Sequence, residues 1–131
     1  MKTVTIASQK GGVGKSTITI HMAVTAQLSG KDVLIADLDP FSRTLTHWAE
    51  GRTKELPTVV QAQADDVKAL KEQAKGEGFD LLIFDCPPFV SEAVVDATKI
   101  SDYTLVPCAP TFPEVQSLLD VIERVHEPYA V

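Results

Sequence analysis

Gly14, Lys15 and Ser16 close the stretch Ser8-Gln9-Lys10-Gly11-Gly12-Val13-Gly14-Lys15-Ser16-Thr17, a set of residue types suited to holding an anion rather than to filling a core. Glycines let the backbone turn tightly and aim several N–H groups at one point, while a lysine adds a full charge and a hydroxyl can bind a hard cation. The pattern G-x-x-x-x-G-K-[ST] between a strand and a helix does this for nucleotide phosphates. Here its last three places are filled, but the first, five residues before Gly14, is Gln9. The shorter pattern G-G-x-G-K-[ST] would arise by chance in a chain of this length on the order of a few times in ten thousand. Hydrogen bonds to a charged group contribute about 1.5 to 3 kcal/mol each. A few amides with Lys15 can therefore reach the ~8 kcal/mol of micromolar binding after association costs.

Lys10 fits this chemistry less directly. Lys15 already serves the terminal phosphates, and a second cation packed beside it is repelled until a polyanion arrives. Lys10 is thus expected to point elsewhere, either into solvent or across an interface to a nucleotide held by another subunit.

Two acidic segments follow apolar runs: Asp37-Leu38-Asp39-Pro40 after Val33–Ala36, and Asp85-Cys86-Pro87-Pro88 after Leu81–Phe84. Ligands of open α/β sheets collect at the carboxyl ends of the strands, so both segments are expected on the same edge as the glycine loop. Magnesium takes hard oxygen ligands and keeps several waters. The expected magnesium site has Ser16 as direct ligand, with Asp37 and Asp85 mainly in the surrounding shell.

These residues need a scaffold, and the hydrophobic pattern supplies one. Short β-type runs alternate with helical periodicity, which predicts an α/β fold with a mostly parallel sheet and helices on both faces. Strands are expected over Thr3–Ala7, Asp32–Asp37, Thr58–Ala62, Phe79–Asp85 and Tyr103–Pro107, and a sixth begins at Tyr129. Helices are expected over Lys15–Ser29, with Gly30 just past the end, through Leu45, Trp48 and Ala49, and over Ser91–Ile100. A further helix, capped by Asp65, turns Val67, Leu70 and Ala74 inward and ends at Gly76 and Gly78. The last opens on a capping box, Thr111 to Glu114, and presents Val115, Leu118, Leu119, Ile122 and Val125 on one face until Pro128. The 131 residues read as a single domain. Because the chain ends where a sixth strand starts, the domain is expected to be incomplete at its C-terminus.

Composition narrows the function classes. At 44% hydrophobic and 23% charged residues the chain is an ordinary globular one. No apolar run approaches the ~18 residues of a membrane span, and the N-terminus lacks a signal-peptide core, so a cytoplasmic protein is expected. A net charge of −6 disfavours nonspecific nucleic-acid binding by these residues. Lys68, Lys71 and Lys75 share a helix face, but Asp65, Asp66 and Glu72 dilute it. Cys86 and Cys108 are expected to be small buried residues, and His21, His47 and His126 show no metal spacing.

The stretch Gln9 to Thr17 resembles the deviant Walker A motif of the ParA/MinD family of ATPases. Asp85 after Leu-Leu-Ile-Phe is similar to a Walker B motif. Asp37-Leu38-Asp39-Pro40 resembles the family's D-x-D-P segment and Cys108-Ala109-Pro110 its proline-containing segment near the nucleotide, while Ser42, Trp48 and Arg52 resemble small ParA proteins. The resemblance implies a P-loop fold in which Gly11, Gly12, Val13, Gly14, Lys15, Ser16 and Thr17 hold ATP with magnesium. It implies that Lys10 reaches the partner's site in an ATP-sandwich homodimer, and that Asp39 orients the attacking water. ParA-type proteins usually carry glutamine at the position of Gln9, where MinD-type proteins carry glycine. Phe41 departs from the family's usual glutamine after D-x-D-P.

The implied activity is slow ATP hydrolysis in plasmid or chromosome partition, stimulated by a ParB-type partner. Nonspecific DNA is then expected to bind only through a C-terminal part beyond these residues, which would place the full-length protein on the nucleoid. The alternatives are a MinD-like membrane-cycling ATPase, which needs a C-terminal amphipathic helix, and a nucleotide-gated interaction module with negligible turnover. An electron-transfer relative like the nitrogenase iron protein would instead need cysteines around a cluster.

Overall fold

The computed structural model describes the backbone from Met1 to Val131 and every side chain except that of Ala64. Six strands form one sheet: β1 (Lys2–Ile6), β2 (Val33–Asp37), β3 (Thr58–Gln61), β4 (Leu81–Asp85), β5 (Tyr103–Leu105) and β6 (Tyr129–Ala130). They lie in the order β3-β2-β4-β1-β5-β6, every neighbouring pair parallel. Five helices connect them: α1 (Lys15–Leu28), α2 (Thr44–Glu50), α3 (Val67–Gly76), α4 (Glu92–Ile100) and α5 (Phe112–Ile122).

The central strands are apolar on both faces because helices cover both. Ile6, Val33, Ile35 and Ile83 pack with Ala23 of α1 and Leu45 of α2. The alternate residues Leu34, Ala36, Leu82 and Phe84 pack with Val67 and Ala74 of α3, Val94 and Ala97 of α4, and Val121 of α5. Period-two alternation thus builds two cores from one sheet.

Register fixes what the sheet presents at its carboxyl edge. Asp37 and Ile6 both stand opposite Asp85, so two carboxylates end side by side on β2 and β4 with the glycine loop beginning next to them. This edge is the one that the strand assignments require.

Four local expectations need correction. Asp65 caps nothing: it lies within a 3-10 turn, Ala64–Asp66, and α3 starts after it with no side-chain cap. Thr111 does stand at the N-cap of α5, but makes no side-chain cap bond. The inward face of α5 is carried by Leu118 and Val121, with Val125 buried just past the helix end, whereas Val115 and Leu119 are exposed. The helix meets the sheet near its C-terminal turns, and a periodicity count cannot see that tilt. Cys86 is buried, but Cys108 is only half-buried.

Candidate functional site

The loop between β1 and α1 is shaped by two left-handed glycines, Gly12 at φ 78° and Gly14 at φ 92°. No other atom lies within 4 Å of where their Cβ atoms would sit, so conformation and not crowding requires glycine there. Gly14 is also the N-cap of α1, which has no side-chain cap and no acidic residue in its first turn. The free amides of a helix start carry partial positive charge and are available to an anion.

Lys15 is buried, and its Nζ donates to the Ser8 hydroxyl and to the Lys10 main-chain oxygen, each at 3.0 Å. Ser8 in turn donates to that same oxygen at 2.8 Å. Among the described residues no carboxylate forms a salt bridge with Lys15. Burial lowers its pKa below the usual lysine value, opposed by the negative charges of Asp85 and Asp39. A buried ammonium resting on neutral oxygens is a site that an anion completes.

The cleft in front of this lysine holds about 350 Å³, and Gly11, Gly12, Gly14, Lys15, Ser16, Thr17 and Asp39 line it. Val13 and Lys10 are not among its lining residues. Lys10 instead extends toward α5, where its Nζ lies 3.5 Å from a Glu114 carboxylate oxygen.

Asp85 stands behind the loop. The Ser16 hydroxyl donates to one of its oxygens at 2.7 Å and the buried Thr19 hydroxyl to the other at 2.8 Å. Burial raises its pKa to about 6, and the neighbouring Asp37 pushes the same way against the Ser16 and Thr19 hydrogen bonds and the Lys15 charge. A hydroxyl and a carboxylate this close form a hard-oxygen set that suits magnesium, which needs few protein ligands when phosphates and water supply the rest. Among the described residues no group of three or more His, Cys, Asp or Glu side chains is arranged to hold a metal by itself.

Asp37 ties the β2–α2 loop to the start of α2, accepting from the Asp39 amide at 3.1 Å and from the Thr46 amide and hydroxyl at 3.3 Å. Gln61 braces the same loop, donating to the Asp37 carbonyl at 2.8 Å. Asp39 then receives the Phe41 amide at 2.9 Å, the Ser42 amide at 3.1 Å and the Ser42 hydroxyl at 2.7 Å. Burial pushes its pKa up, but these bonds and the Lys15 charge outweigh it and hold the carboxyl below the usual range. Phe41 contributes through its main chain, so the departure at this position leaves the Asp39 contact intact; its ring is 82% exposed.

Sequence reasoning missed Ser8, Thr19, Gln61 and Glu114. Thr19 carried a readable signal, since it is four residues after Lys15 on the buried side of α1 where an apolar residue is expected. Glu114 carried none: it is 104 positions from its partner and fitted a local motif. A mainly apolar hollow of about 380 Å³ also opens between Pro40, Arg43 and Phe89, with Gln61, Gln63 and Ser91 on its lining; it includes no residue of the glycine loop.

Residues 4–131 match the CobQ/CobB/MinD/ParA nucleotide binding domain. The chain belongs to this family. Among individual proteins of the family, it is 27% identical to the chromosome-partitioning ATPase Soj of Thermus thermophilus, over 97% of this chain and 62% of that protein. It is 30% identical to the maintenance of carboxysome distribution protein A of Gloeobacter kilaueensis, over 97% of this chain and 58% of that protein. The chain thus spans about three-fifths of the length of these relatives. Its fold matches that of cobyrinic acid a,c-diamide synthase from Mycobacterium smegmatis, solved with bound ADP and magnesium, at a TM-score of 0.69. That likeness covers 94% of this chain and 67% of the other at 22% identity, and it concerns the fold. No helix among the described residues is long and apolar enough to cross a membrane.

Proposed function

We propose that this domain binds ATP with magnesium, pairs with a second copy around two nucleotides, and hydrolyses ATP slowly to ADP and phosphate. The observation that carries this reading is the divergence of two lysines from one loop. Lys15 is buried in the cleft on neutral oxygens, whereas the Lys10 ammonium lies outside it against Glu114. A nucleotide site made by one subunit has a use for the first and none for the second.

In this reading the amides of Gly11 to Thr17 cradle the phosphates and Lys15 neutralises the terminal ones. Magnesium, when bound, would supply positive charge to offset that of the phosphates. Ser16 would hold it, with Asp85 orienting the hydroxyl and Asp37 shaping the adjoining loop. Asp39, kept ionised by its hydrogen bonds, orients water toward the terminal phosphate. Lys10 adds its charge to the nucleotide of the second copy.

Soj is named for chromosome partition and the carboxysome protein for distributing its cargo, and both names support a role in placing a large body within the cell. We therefore assign the domain to partition of a plasmid, chromosome or comparable cargo in the cytoplasm. A ParB-type partner that raises turnover, and DNA contacts made by residues beyond this domain, complete the proposal. The net charge of −6 supports the latter.

Light scattering on a sizing column tests the reading. Wild type is expected to become a dimer with ATP and magnesium and to stay monomeric with ADP. Lys10→Ala is expected to bind ATP yet remain a monomer, and dimerisation of Lys10→Ala equal to wild type would sink the assignment.

A further inference from the structure

Thr111 and Glu114 have the spacing of a capping box, yet the Thr111 amide that Glu114 would accept is given to the Ala109 carbonyl at 2.8 Å. The Glu114 side chain, only 17% exposed, is therefore free of its own helix and reaches the Lys10 Nζ at 3.5 Å. Lys10 is anchored differently at its two ends. Its carbonyl is fixed by Ser8 and Lys15, while its side chain is 38% exposed and touches an acid on a separate element. A swing of this side chain away from α5 needs no change in the phosphate loop.

We propose that Glu114 is a positioning residue for Lys10: its carboxylate holds the ammonium against α5 in the nucleotide-free subunit and releases it when the subunit pairs around nucleotide. This rests on the paired-subunit reading above. The hold keeps a flexible cation away from Lys15 while the cleft contains no polyanion, which reduces repulsion between them. It is also weak enough to break, because a partly exposed ion pair biases an equilibrium by about fivefold or less.

Two measurements on wild type and Glu114→Gln test this. The first is the rate at which an amine-acetylating reagent modifies Lys10 in the nucleotide-free protein, read by mass spectrometry with Lys31 as internal reference. The second is the protein concentration for half-dimerisation with a nonhydrolysable ATP analogue and magnesium, by sedimentation velocity. Glu114→Gln is expected to raise Lys10 labelling and lower the half-dimerisation concentration, each by about two- to fivefold. Unchanged labelling would show that no resting contact exists and would overturn the proposal. Faster labelling with unchanged or weaker dimerisation would also overturn it, because Glu114 would then not be what Lys10 leaves. Absence of any nucleotide-dependent dimer in wild type would instead remove the paired-subunit reading and this inference with it.

Discussion

The Nζ of Lys15 lies 3.0 Å from the main-chain oxygen of Lys10, so the first lysine of the loop fixes the second through its backbone while its own ammonium points away. One short segment therefore carries two cations with separate destinations. The Lys10 carbonyl and the Ser8 hydroxyl are neutral partners of Lys15, and in the proposed function phosphate oxygens are the stronger acceptors that would replace them.

Lys15→Ala is accordingly expected to weaken ATP binding by roughly 10- to 150-fold, the loss of one hydrogen-bonded charge. The melting temperature of the nucleotide-free protein should hardly fall, because a buried ammonium on neutral partners contributes little stability. Isothermal titration with ATP and magnesium, alongside a thermal melt, checks both statements. A large loss of stability with unchanged affinity would mean that Lys15 is a structural residue.

The sheet and its functional edge were legible in the sequence because they rest on strong local signals. Apolar runs such as Leu81–Phe84 need burial on two sides, and Asp37 and Asp85 each end such a run, so both had to emerge at one edge. Helix ends were less legible, because a cap is a matter of one side-chain rotamer: Ser91 does accept the Val94 amide at 3.4 Å, whereas Asp65 and Thr111 cap nothing. The contacts that tune the site were least legible. Glu114 to Lys10 and Thr19 to Asp85 join residues far apart in the chain, and only the register of a parallel sheet brings them together. The sequence allows Lys10 to point into solvent or across an interface, and the structure shows a third arrangement, an internal ion pair.

Ser42 governs how firmly Asp39 is aimed. Its hydroxyl donates the shortest of the three bonds to that carboxylate, 2.7 Å against 2.9 and 3.1 Å for the amides. Ser42→Ala removes that bond but keeps both amides, so turnover is expected to fall about tenfold with ATP affinity nearly unchanged. Asp39→Ala should still bind ATP and dimerise, with hydrolysis abolished. The carboxyl is held below the usual range, so it stays ionised and wild-type turnover should show no acid limb from Asp39 above about pH 5. Single-turnover phosphate release across pH measures these outcomes, and a Ser42→Ala protein that lost affinity instead of rate would refute the assignment.

Asp85 makes the stability of the empty domain depend on pH in the unusual direction. Its pKa in the folded protein is raised to about 6 by burial, whereas in the unfolded chain it titrates near the ordinary carboxylate value of 3.8. Between those values the folded state binds more protons than the unfolded state, so stability falls as pH rises through the window and the loss is complete above about pH 6. Below the unfolded value both states are protonated, and the stability that is lost at higher pH is fully present. A shift of this size corresponds to roughly 3 kcal/mol before relaxation or entering water reduces it. Asp85→Asn keeps the shape, leaves an acceptor for Ser16 or Thr19 and removes the charge. Melts of nucleotide-free protein from pH 4.5 to 7.5 should therefore show the wild-type midpoint declining through this window and the Asp85→Asn midpoint declining less. The same substitution should weaken the magnesium-dependent part of ATP binding, measured as the ratio of affinities with magnesium and with chelator. Parallel melting profiles for the two proteins would show that Asp85 is already ionised in the empty site at low pH, with Lys15 and the two hydroxyls sufficient to compensate its burial.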